Sequence, residues 1–160
     1  MENKNDALES DTTGREIIIT RLLNAPRELV FEVWTKPEHI IKWWGPKGYT
    51  NTMRKMDVKV GGKWSFIMHG PDGIDYPTLI EYSEIIKPER LVYSLGSDDH
   101  PGQFNAVVTF EEIPGNKTFL TMKSIFKTAA DRDFVIKQVN AIEGGNQTID
   151  KLEYYLASLA

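Results

Sequence analysis

At 160 residues and a formal net charge of −4, the chain has the length of one domain that buries about 70% of its unfolded surface, and it carries no general field toward nucleic acid or anionic membrane. It contains no cysteine, which excludes disulfides, thiolate catalysis and Cys-ligated zinc together and fits a reducing compartment. Four Trp and six Tyr within an aromatic share of 11% are generous for this length, and side chains so large must line either a core or a pocket.

Residues 1–14 are polar, have no apolar stretch of the kind a secretory leader needs, and read as a disordered tail. No segment approaches the roughly 18 uninterrupted apolar residues of a membrane span, so no membrane insertion is expected and the expected location is the cytoplasm. Residues 15–160 are expected to form the single domain. Residues 16–24 are rich in β-branched side chains and predict a strand. Pro26 then suits a first helical turn, Glu28 sits near the positive end of the dipole, and Leu29, Val30, Val33 and Trp34 form a helical stripe. Lys36-Pro37 breaks that helix, and residues 38–44 predict a second short one, stopped by Gly45-Pro46.

Six strands follow. Residues 51–60 and 63–69 flank Gly61-Gly62, and Pro71-Asp72-Gly73 turns the chain into a strand over 76–86. Residues 91–95 form a short strand, and 104–113 and 117–126 are joined at Pro114-Gly115-Asn116. Alternation puts Trp64, Phe66 and Met68 on one face of their strand, and Glu81 on the outward face if Ile80 and Tyr82 point in. The last segment predicts one long helix. Phe134, Gln138, Ala141, Ile142, Gly145, Ile149, Leu152, Leu156 and Leu159 recur at intervals of three and four, Thr128 is positioned to cap its start, and Gly144-Gly145 predicts a bend or a close backbone approach.

Strand, two short helices, six strands and a long helix make an α+β domain, a curved antiparallel sheet of about seven strands whose one face only the C-terminal helix is long enough to cover. A helix laid across a curved sheet leaves a cavity. Its expected lining is Trp34 and Trp43 from the short helices; Trp64, Phe66, Met68, Tyr82, Tyr93, Phe104, Phe110 and Met122 from the strands; and Phe134 and Gln138 from the helix. The same side chains could instead pack one solid core.

Motifs for chemistry are missing. His39, His69 and His100 do not pair with one another or with carboxylates at metal-ligand spacing, and there is no nucleophile elbow, phosphate loop or dinucleotide glycine pattern. No cofactor and no metal are expected. The carboxylates Asp57, Glu81, Glu84, Glu111 and Glu112 lie on or beside strands and should face water.

The string Asn24-Ala-Pro-Arg-Glu-Leu-Val-Phe-Glu-Val-Trp34, followed by Trp43-Trp44-Gly45-Pro46, Gly61-Gly62 and Pro88-Glu-Arg-Leu91, resembles the bacterial homologues of the C-terminal domain of the heat-shock-protein-90 ATPase activator. These belong to the START and birch-pollen-allergen (SRPBCC) superfamily, and the resemblance covers about residues 15–158. It implies the helix-grip fold, with the sheet wrapped around the C-terminal helix, and binding of an apolar or amphipathic small molecule between sheet and helix. Two other functions follow from the same resemblance: a polyketide cyclase or lyase, in which His69, Tyr82 or Gln138 would polarise a bound carbonyl, and a module that acts on a chaperone partner. The family usually places a Trp after the glycine pair; Asn146 stands there, leaving more room or a polar group at that point.

Overall fold

Alternation of buried and exposed side chains sets the strands of the computed structural model, which describes residues 12–160. In β1 (Glu16–Leu23), Ile17 and Leu23 are buried while Ile18 and Leu22 face water. The remaining strands are β2 (Thr50–Met56), β3 (Lys63–His69), β4 (Asp75–Ile86), β5 (Arg90–Gly96), β6 (Phe104–Ile113) and β7 (Lys117–Phe126). They form one antiparallel sheet in the order β1-β7-β6-β5-β4-β3-β2, so the first strand returns to lie beside the last. Bulges between Met53 and Lys55 and between Tyr82 and Glu84 interrupt the ladder and sharpen its curvature. The expected strand over 51–60 is shorter, because residues 57–62 leave the ladder to form the turn into β3. Residues 1–11 of the expected tail lie outside the described residues. Thr12–Gly14 lead into β1 through a turn, in which Thr12 is buried and its hydroxyl donates to Glu16 at 2.7 Å.

Between β1 and β2 the chain forms α1 (Arg27–Thr35) and the single turn α2 (Pro37–Ile40). The short second helix stops before residue 44, since residues 41–43 form a hydrogen-bonded turn instead. That turn carries Trp43 into the interior, where its indole N–H donates to the Val33 carbonyl at 3.1 Å. Thr118, fully buried, donates its hydroxyl to the Ala25 carbonyl at 2.7 Å and ties the start of α1 to β7.

The C-terminal segment is two helices, α3 (Ala129–Gln138) and α4 (Ala141–Ser158). Thr128 caps the first as expected, accepting from the Asp131 amide at 3.0 Å. The interruption falls at Asn140, whose φ of 57° is left-handed, a conformation asparagine tolerates better than most residues. The thirty-residue stripe is therefore broken: α3 buries no side chain, whereas α4 buries Thr148, Ile149, Leu152 and Leu156. Gly144 and Gly145 lie inside α4 and serve close approach rather than a bend. A methyl group at 145 would overlap Ile19 Cδ1 of β1, and one at 144 would meet Pro46 Cγ at 3.4 Å.

Arg21, projecting inward from β1, fastens the same helix. Its guanidinium donates to Asp150 at 2.8 Å, to Glu153, and to the Asn146 side-chain oxygen at 3.4 Å. The polar group implied by Asn146 is thus part of the joint between edge strand and helix.

Candidate functional site

Cross-strand register arranges the inner face of the sheet in rows. One row runs Phe126, Phe104, Leu95, Ile80, Trp64 and Met56 across six strands. Its two ends differ in environment. Toward β3, Trp64 stacks on Phe66 with centroids 3.9 Å apart, and Trp44 meets Trp64 edge-on at 5.0 Å. Toward β7, Phe104 and Phe126 stack at 4.9 Å and floor an apolar recess of about 390 Å3. Phe134 and Val135 of α3 wall that recess, with Gln103, Lys127 and Asp131 at its rim.

Of the side chains expected to line a cavity, Trp34, Trp43, Trp64, Phe66, Tyr82, Tyr93 and Phe110 are buried in one cluster. Trp34 touches Trp43 at 4.8 Å and Phe110 at 5.6 Å, and Tyr82 meets Tyr93 at 6.1 Å. Burial pushes both tyrosine phenols well above the ordinary range; at Tyr82 the neighbouring Tyr93 adds to it, and at Tyr93 a hydrogen bond with Trp34 opposes it. Met68 and Met122 pack on the margin of the cluster and keep partial exposure, as does the inward-facing Leu95. Phe104 and Phe134 meet at the recess, Phe134 with 59% of its surface exposed. Gln138 is exposed at the end of α3, because the reset at Asn140 removes it from the phase of the α4 stripe.

The three polar residues considered for carbonyl polarisation are not brought together. His69 lies on the outer face of β3, hydrogen-bonded to Thr52 at 2.6 Å and to Asp75 at 2.7 Å. Glu81 is exposed on the outer face while Ile80 and Tyr82 are buried. Among the described residues no group of three His, Asp or Glu side chains is placed to hold a metal ion, and no helix is long and apolar enough to cross a membrane. A larger groove of about 740 Å3 runs beside α1, but within its lining Glu32 and Lys36 pair with each other at 2.7 Å. One buried donor in the row has no hydrogen-bond partner among the described residues: Trp64 Nε1.

Residues 24–157, which include both short helices, the strands β2 to β7 and almost all of α4, match the family described as Activator of Hsp90 ATPase homolog 1-like protein. The chain belongs to that family. Solved structures of similar proteins share its architecture across nearly the whole length. Protein Ms6760 from Mycobacterium smegmatis is 25% identical, with 94% of this chain and 96% of that one covered and a TM-score of 0.84. Protein NE0264 from Nitrosomonas europaea is 25% identical over 91% and 96%, with a TM-score of 0.81. The AHSA1 (SPO3351) protein from Silicibacter pomeroyi, at 18% identity over 91% and 99% and a TM-score of 0.73, shows the fold alone. No curated protein matches.

The recess also draws on residues that composition and periodicity did not single out: Gln103, Lys127 and Val135. The signal that joins Phe126 to Phe104 is register. Phe126 falls directly opposite Phe104 once β6 and β7 are paired. Val135 carried no such signal, because its position depends on where the helix breaks.

Proposed function

We propose that this protein binds an apolar or amphipathic small molecule between the inner face of the sheet and the C-terminal helices, entered at the α3 end. The observation that carries this reading is the recess of about 390 Å3 floored by the stacked Phe104 and Phe126 and walled by Phe134 and Val135. Large apolar side chains that face inward yet keep solvent exposure, Met68, Leu95, Phe104 and Met122 among them, suit an unfilled site better than a finished core. The family membership supports it, since helix-grip proteins commonly take apolar ligands.

The test is titration with the neutral fluorophore N-phenyl-1-naphthylamine, together with native mass spectrometry of freshly purified protein for a retained ligand. The probe is expected to bind saturably at about one site. Phe134→Ser, at an exposed position, should change stability by no more than about 0.5 kcal/mol and weaken the probe several-fold. Phe66→Ala, in the closed cluster, should instead cost about 3–5 kcal/mol in denaturant melts. Absence of saturable binding, or unchanged affinity in Phe134→Ser, overturns the reading.

A further inference from the structure

Apart from the recess, whose lining has no residue of α4, a cleft of about 520 Å3 opens between α4 and the segment from Lys42 to Lys47. Tyr154, Tyr155 and Gln147 supply its walls, and Lys42, Lys47 and Lys151 bring three ammonium groups to it. Its single carboxylate, Asp150, is already committed to Arg21 at 2.8 Å. Gln147 is committed as well, accepting from the Lys47 amide and donating to Glu143, each at 3.2 Å. None of the three lysines forms an ion pair with a carboxylate among the described residues. Lys151 is half-buried and donates only to backbone carbonyls, those of Tyr49, Pro46 and Trp44 at 3.2, 3.4 and 3.5 Å. Three unneutralised cations in one concavity run against the net charge of −4 of the whole chain.

We infer that this cleft is a second binding site, specific for a small amphipathic anion: an acidic head held among Lys42, Lys47 and Lys151, and an aryl or alkyl body laid against the rings of Tyr154 and Tyr155. The volume lies within the range of small-molecule sites. Apolar walls with a few convergent charges give both affinity and selection for a charged end. Tyr154 is 81% exposed, and a large ring left so open gains most from a partner that covers it. Loss of hydration on burial lowers the Lys151 pKa from its ordinary value, the condition of an ammonium group short of a counter-ion.

Decanoate and decanol share a chain and differ in the head, so paired titrations followed by 15N–1H NMR of the intact protein test the site. Decanoate is expected to shift the amides of Lys47, Gln147, Lys151 and Tyr154 and to bind at least about tenfold tighter than decanol, the size of one or two ion pairs. Added salt should weaken decanoate and leave decanol unchanged. The double variant Lys42→Gln/Lys47→Gln changes two exposed residues and keeps the Lys151 contacts, so it should fold as the parent. It should lose about tenfold in decanoate affinity while N-phenyl-1-naphthylamine binding stays the same. Equal affinity for the two probes, shifts confined to Phe104, Phe126 and Phe134, or unchanged decanoate affinity in the double variant each overturn the second site. Because Phe134→Ser alters only the recess lining and Lys42→Gln/Lys47→Gln only the cleft lining, failure of either site is read separately from failure of the other.

Discussion

Tyr82 and Tyr93 face each other across β4 and β5 on the inner side of the sheet, and water reaches neither ring. Their raised pKa values make them a pH probe of the core. A phenol that keeps its proton in the folded state and loses it in the unfolded state near pH 10 leaves stability whole below that value and erodes it above. Denaturant midpoints should therefore hold steady up to about pH 10 and fall beyond it. Tyr82→Phe should flatten the fall, and neither buried tyrosine should give a phenolate absorbance signal before the chain unfolds. A midpoint that stays level through the same range, or a full tyrosine titration in the folded protein, would place both rings in contact with water.

The joint between α4 and β1 rests on an absence of atoms. Gly145 lies over Ile19 so closely that an alanine methyl would overlap Ile19 Cδ1, while Gly144 has an ordinary contact distance to Pro46. Alanine gains about 1 kcal/mol over glycine within a helix, and crowding of a packed contact costs about 1–3 kcal/mol. Gly145→Ala should therefore destabilise the parent. In an Ile19→Val background, which lacks Cδ1, the same change should become neutral or stabilising, and a double-mutant cycle of melts reads the coupling directly. Additive effects would show that the overlap is relieved elsewhere. Sequence reading reached half of this joint. The glycine pair signalled either a bend or a close approach, and only the placement of Ile19 opposite Gly145 selects between them. The Thr128 cap was legible because a cap is local: one hydroxyl and one amide three residues away. The break at Asn140 was not, because Val139 and Asn140 fit a helix by spacing and no glycine or proline marks the left-handed turn.

Across the whole molecule the burial is uneven. The α1 side is closed by Trp34, Trp43, Trp64 and Phe110, whereas α3 rests on the sheet without burying a side chain. Hydrogen exchange should follow that gradient, with α3 amides exchanging through local opening and those around Ile149 and Leu152 only with global unfolding. Equal protection in the two helices would contradict it. The strand order and the aromatic inner face were legible from alternation and turn residues. The division of that face into a closed and an open end was not, since alternation gives the side of a strand and says nothing of what covers it. The placement of β1 has a further consequence, for the chain while it is being made. Glu16 pairs with Ile125, and Arg21 finds Asp150 129 residues later, so the first strand has no neighbour until β7 has left the ribosome and no cover until α4 has followed. Until then Ile17, Ile19 and Leu23 are bare apolar surface on an unpaired strand, the kind of segment that chaperones hold. Closure of the sheet is therefore a late step of folding.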